Sequence, residues 1–173
     1  MGYETKMYIG TPYYGGKEPY IQIEGHQSAY RVYNDKDKKG DYFYLKDGNI
    51  KRYISGLKRQ GVGYKIVEVE TMQVVAMVDL CKASVGAVEE VINKGHSKEG
   101  ERGGFYDDGG NAIIIEDRYC DAMTFVDPKE VLRAMQEVQK EEPYRRFTIA
   151  ISTLKAAIKG FKTEKLRVLF FGY

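Results

Sequence analysis

Asp127-Pro128-Lys129-Glu130-Val131-Leu132-Arg133-Ala134-Met135-Gln136-Glu137-Val138 carries a complete helix-start signal followed by an apolar stripe. Asp127 suits the N-cap, because its carboxylate can accept the free N–H groups of the first turn. Pro128 takes the first helical position, where its missing N–H costs nothing. Glu130 stands where a side chain can reach back to the cap. Val131, Met135 and Val138 then recur at helical spacing. After Glu141-Glu142, Pro143 opens a second helix. Phe147, Ile151, Leu154 and Ile158 repeat along one face of it, and Gly160 ends it. Two amphipathic helices in succession need a further layer to cover.

That layer is legible on both sides of the helices. Downstream, Leu166–Phe171 reads as a closing strand. Upstream, Ala112–Glu116 is a short apolar strand and Thr124–Val126 a second candidate. Tyr64–Val69 and Met72–Leu80, rich in Val and Met, read as central strands. Between them and the loop-like, Gly-rich stretch His96–Gly110, Ser84 is expected to cap a helix over Val85–Asn93, with Val85, Val88 and Ile92 on one face and Gly95 as its stop. Nearer the N-terminus, Tyr3–Ile9 alternates as a strand does. Gly10-Thr-Pro-Tyr-Tyr-Gly-Gly16 is then expected to break it into a loop. Tyr20–Ile23, Ala29–Tyr33 and Asp41–Leu45 are further strands, separated by the charged turn Asn34–Gly40 and closed by the Asp47-Gly48 turn signal. Asn49 can cap a helix in which Ile50, Tyr53, Ile54 and Leu57 share a stripe; Lys51, Arg52, Lys58 and Arg59 lie off it, and Gly61 stops it. The expected fold is α+β: a mostly antiparallel sheet covered on one side by three or four helices, in a single domain over residues 1–173.

The chain has 173 residues, an apolar fraction of 43% and 13% aromatics, too apolar for a disordered chain. No apolar run approaches the roughly 20 residues that span a bilayer, and the N-terminus has no signal-peptide core. A soluble, cytoplasmic protein without a membrane partner is expected. Cys81 and Cys120 cannot form a usual zinc site with the widely spaced His26 and His96. Buried free thiols are expected. The net charge of +2 hides an asymmetry. Residues 1–65 hold 12 Lys+Arg, 7 Asp+Glu, ten glycines and 11 of the 15 tyrosines; residues 66–173 hold 15 Lys+Arg and 18 Asp+Glu. The first region reads as a basic, Tyr/Gly-rich β region and the second as a scaffold with C-terminal helices.

The loop Gly10-Thr-Pro-Tyr-Tyr-Gly-Gly-Lys17 is the leading candidate site. Tyr13, Tyr14 and Tyr20 offer faces for stacking on a base. Lys17 and Arg31 can meet phosphate, and the amides of Gly15 and Gly16 can assist. It is not a Walker loop. Tyr30, Arg31, Tyr33, Tyr42, Tyr44, Lys51, Arg52 and Tyr53 interleave rings with charge. The surplus is too small for strong nonspecific duplex binding, so long duplex DNA is not an expected partner; a small anionic ligand or a short single strand is. Glu116-Asp117-Arg118-Tyr119-Cys120-Asp121, with Asp107 and Asp108 upstream, offers carboxylates for a cation in phosphoryl chemistry. No histidine accompanies them at a useful spacing, and a charged turn with Arg118 pairing locally is the plainer reading. His26 and His96 could each serve as a general base, and a surface or cap position is the plainer expectation for both. Phe105-Tyr106 reads as a lid over a pocket or as an anchor for its loop. No catalytic residue, metal site or cofactor is assigned.

Met1-Gly-Tyr-Glu-Thr-Lys-Met-Tyr-Ile-Gly10, Val75-Ala-Met-Val-Asp-Leu-Cys-Lys82, Glu116–Asp121, Glu142-Pro-Tyr-Arg-Arg-Phe147 and Phe171-Gly-Tyr173 together resemble small uncharacterised accessory proteins of tailed bacteriophages. The resemblance implies an anti-defence role in the host cytoplasm: capture or degradation of a nucleotide signal, binding of a host defence protein, or contact with nucleic acid. It transfers no catalytic residue. The resulting expectation is a non-enzymatic protein that sequesters a small nucleotide-type anion, with a homo-oligomer compatible with such a site. The alternatives are a protein-interaction inhibitor of a host defence factor and a metal-dependent phosphodiesterase.

Overall fold

The computed structural model describes residues 4–12, 29–36, 41–44, 49–68, 70–82, 85–97, 103–106, 113–114, 116–162 and 165–173, a few strand residues by their backbone alone. Twelve elements follow in chain order: β1 (Thr5–Pro12), β2 (Ala29–Asn34), β3 (Asp41–Tyr44), α1 (Asn49–Arg59), β4 (Tyr64–Glu68), β5 (Glu70–Cys81), α2 (Gly86–Lys94), β6 (Gly103–Tyr106), β7 (Ile113–Ile114), α3 (Pro128–Glu141), α4 (Arg145–Gly160) and β8 (Arg167–Gly172). They form two sheets, of order β7-β6-β5-β1-β8 and β3-β2-β4. Among the described residues only the β5–β6 pairing is parallel. The α+β class and the mostly antiparallel pairing are therefore as the sequence leads one to expect. The expected strand Tyr20–Ile23 lies outside the described residues.

β1 runs between β5 and β8, and its alternation divides the large sheet into two buried faces. Met7 and Ile9, with Val78, Leu80, Val168 and Phe170, meet the apolar stripes of α2, α3 and α4. The helical stripe is as expected: Val131, Met135, Val138, Phe147 and Leu154 are all buried. On the opposite face Tyr8 joins Met72, Val74, Phe105, Met123, Leu169 and Phe171. A β-bulge makes this possible. The register passes from Ile9↔Ala76 to Gly10↔Val74, leaving Val75 unmatched. Beyond the extra residue the pleat changes sides, so Val74 and Met72 turn away from the helices while Val78 and Leu80 face them.

Gly10 belongs to β1, which runs on through Pro12, so the expected break does not fall at Gly10. A Cβ on Gly10 would stand 2.6 Å from the Gln73 carbonyl oxygen and 2.7 Å from the Met72 sulfur. The glycine serves close strand approach at the bulge, not a turn.

The outer edge of β8 is guarded by the irregular segment 116–126. Val126 exchanges two backbone bonds with Val168, at 2.9 and 3.1 Å, and Arg118 N–H donates to the Gly172 carbonyl at 3.0 Å. Arg167 is buried, its guanidinium carbon 5.0 Å over the Phe125 ring. The small sheet has its own core of Val32, Ile50, Leu57 and Val62 beneath α1.

Two local expectations change. Ser84 lies outside the described residues, and α2 has Val85 as its N-cap, with no side-chain bond. Cys81 is half-buried and Cys120 exposed, so the second thiol is not a core residue.

Candidate functional site

Three constellations stand out, and the first is the small sheet. β2 pairs with both neighbours in antiparallel register: Ala29↔Tyr44 and Arg31↔Tyr42 on one side, Arg31↔Val67 and Tyr33↔Lys65 on the other. Opposed residues share a face. Positions 31, 33, 42, 44, 65 and 67 therefore lie on the face opposite to Val32, whose side chain packs under α1. One cation and three tyrosine positions thus align beside an exposed Lys65. Lys36, Lys51, Arg52, Lys58 and Arg59 are exposed on the same unit.

The tyrosines of the N-terminal region have different roles. Tyr53 and Tyr64 pack against the small core. The Tyr53 hydroxyl accepts from Asn34 Nδ2 at 2.8 Å, and Asn34 is buried in β2 rather than in a surface turn. Tyr8 stacks on Phe105 at a centroid distance of 4.3 Å, with Phe171 edge-on to both at 6.1 and 6.0 Å. Phe105 is thus an anchor on the sheet. Tyr13, Tyr14, Gly15, Gly16, Lys17 and Tyr20 lie outside the described residues, as do His26, Asp107 and Asp108. Arg31 is placed by its backbone only.

The second constellation gathers residues far apart in the chain. α2 ends at Gly95, whose carbonyl accepts the Thr124 N–H, while Thr124 Oγ1 donates to the Ser97 carbonyl at 2.7 Å. These bonds hold His96 against the turn at Asp117–Asp121. Within that turn Cys120 takes a left-handed conformation, φ 62°. Its N–H donates to the Asp117 carbonyl at 3.1 Å. The Asp117 carboxylate is fully buried. Its Oδ1 accepts from the N–H groups of Tyr119 (2.8 Å) and Asp121 (3.0 Å), and its Oδ2 from that of Gly172 (3.2 Å). His96 Nδ1 lies 3.5 Å from Oδ2, its side chain 13% exposed. One donor atom each from His96, Asp117 and Asp121 falls within a 4.8 Å cluster.

The expected charged surface turn is therefore wrong for Asp117, which is an interior anchor tying turn, strand and helix end together. A histidine does accompany the carboxylates. Asp117-x-Tyr119 and Asp117-x-x-x-Asp121 carry a readable local signal, since an aspartate readily accepts N–H groups two residues on. The approach of His96 has no such signal; it follows from how α2 packs beside β8.

The third constellation is at the end of β5. Asp79 Oδ1 accepts the Cys81 N–H and Oδ2 accepts the Tyr173 hydroxyl, each at 2.8 Å. Arg146 Nη1 lies 3.7 Å from Oδ1 and donates to the Asp79 carbonyl at 2.9 Å. Lys6 Nζ stands 4.5 Å from the Tyr173 ring centre. Partial burial alone would raise the Asp79 pKa, but the donated hydrogen bonds and Arg146 hold it below the ordinary carboxylate value. Burial, then Asp79, push the Cys81 thiol up. A thiol kept protonated is a poor nucleophile, and Asp79 ties the end of β5 to Tyr173 and to α4.

No family model matches the chain, and neither a curated protein nor a solved structure does. No described helix is long and apolar enough to cross a membrane.

Proposed function

We propose that this is a non-enzymatic binding protein for a small anionic ligand of nucleotide type, held on the tyrosine- and cation-bearing face of the small sheet. The observation that carries the reading is the register that aligns positions Arg31, Tyr33, Tyr42, Tyr44 and Lys65 on one face. Rings at strand spacing offer stacking surfaces for a base, worth about 1–3 kcal/mol each, and the cations suit phosphate. β1 leads directly into the Tyr13–Lys17 segment, whose Tyr13, Tyr14, Gly15, Gly16 and Lys17, with Tyr20, complete the proposed ligand set. An accessory role against host defence in the host cytoplasm goes with this reading through the resemblance to tailed-phage proteins.

Isothermal titration of the full chain against ATP, cyclic dinucleotides, ADP-ribose and a short single-stranded oligonucleotide tests it. Binding by at least one, weakened tenfold or more by Tyr33→Ala and by a Tyr13→Ala/Tyr14→Ala double variant, with ligand recovered intact, is the expected result. No heat with any of them, or affinity unchanged in both variants, overturns it.

A second reading has an observation of its own. Val75 (38% exposed) and Met77 (49% exposed) present apolar side chains on β5, and such exposed groups suit a protein interface. This favours inhibition of a host factor by direct contact. A Met77→Asp variant that loses a host partner while keeping its nucleotide affinity distinguishes the two.

A further inference from the structure

We propose that His96, Asp117 and Asp121 form a three-ligand site for a divalent transition-metal ion of the zinc type. The argument starts at Asp117. Three backbone N–H groups donate to its carboxylate, two at Oδ1 and one at Oδ2. Those bonds fix the plane of the group, as outer-shell donors do for ligating carboxylates. His96 Nδ1 lies 3.5 Å from Oδ2. Two ligands on a tetrahedral ion with bonds of about 2.0–2.1 Å stand about 3.4 Å apart. The observed separation fits one edge of that polyhedron, and it is longer than a strong charge-assisted hydrogen bond. Asp121, from the same turn and exposed, brings its carboxylate within 4.8 Å of the other two donors.

The donor set decides the cation. An imidazole nitrogen beside carboxylate oxygens suits zinc and its neighbours, whereas magnesium and calcium prefer oxygen alone. Three protein ligands leave at least one position for water or an anionic oxygen, on the exposed Asp121 side. The site lies where the end of α2, the 117–121 turn and the end of β8 meet, held together by hydrogen bonds at Thr124, Arg118, Tyr119 and Gly172. It belongs to the large sheet and does not depend on the nucleotide reading.

The test uses chelator-treated full-length protein. Calorimetry and thermal melting are run with Zn2+, Mn2+ and Mg2+ in turn. One equivalent of Zn2+ should bind and raise the melting temperature, with Mg2+ at least tenfold weaker. Asp121→Asn, an exposed and isosteric change, should weaken Zn2+ binding at least tenfold and abolish the thermal shift. His96→Gln should do the same, while Cys120→Ser should leave binding intact. Absence of stoichiometric Zn2+ binding, equal affinity for Mg2+, equal affinity in Asp121→Asn, or loss of binding in Cys120→Ser overturns the assignment. Asp121→Asn decides the matter even if His96→Gln destabilises the fold.

Discussion

Tyr173 shows how much one hydroxyl can report about a strand end. Its O–H donates to Asp79 Oδ2 at 2.8 Å. That bond, then partial burial and the nearby negative charges of Asp79 and Glu4, push its pKa up to about 12. A raised folded-state value means that the stabilisation is fully present below the ordinary phenol value of about 10 and is lost as pH rises through about 12. The Asp79 shift has the opposite sign: its contribution is present above the ordinary carboxylate value of about 3.9 and is lost as pH falls through the lowered folded one. Ultraviolet titration of the folded protein should show a phenol ionising near pH 12, and Tyr173→Phe should remove that step alone. A titration unchanged by the substitution would show that the hydroxyl does not meet Asp79 in solution.

At the scale of elements, α3 was readable because its start is purely local. Asp127 Oδ1 accepts the Lys129 N–H at 2.8 Å and the Glu130 N–H at 3.2 Å, with Pro128 beside it. Asp127→Ala should lower stability by about 1 kcal/mol, measured as a shifted denaturant midpoint at constant slope; Asp127→Asn or Asp127→Ser should recover most of it. α2 was readable in its stripe and not in its start, since Val85 caps it without a side-chain bond. Tertiary packing of Val88, Val91 and Ile92 holds that helix instead. Pro143 marks the right place for α4, yet the helix begins at Arg145 with Tyr144 as N-cap. The Tyr144 N–H is satisfied by Gln139 Oε1 at 2.8 Å, and its ring packs edge-on to Phe147. Arg146 in the first turn then donates to the Asp79 carbonyl of β5.

At the scale of the molecule, two cores of unequal size imply unequal local stability. Among the described residues the helical core joins Met7 and Ile9 to three helices, while the small sheet buries Val32, Ile50, Leu57 and Val62. Burial of apolar area is the main stabilising term, about 25 cal/mol per Å². Hydrogen exchange should therefore protect the amides of β1 and β8 longest and those of β2 and β3 less; the reverse order would show the small sheet to be the firmer unit. The division also bears on the tyrosine-rich N-terminal region. Its first strand is an inner strand of the large sheet, between β5 and β8, and the part from β2 onward builds the small one.

Periodicity and end signals, which act over a few residues, determined the α+β class, the helical stripes and most of the described strands; β6 is the exception, since Gly103–Tyr106 lies in the Gly-rich stretch that reads as a loop and is a strand only through its pairing with β5 and β7. The alignment of Arg31, Tyr33 and Tyr42 was half legible: the residue types were visible, but their common face required the β2–β3 and β2–β4 register. The strand count per sheet, the bulge that turns Val74 from one core to the other, and the meeting of His96 with Asp117 and Asp121 were decided by tertiary structure alone. Register, bulges and side-chain convergence depend on contacts between segments tens of residues apart, and no local pattern encodes which distant N–H or imidazole will arrive beside a buried carboxylate.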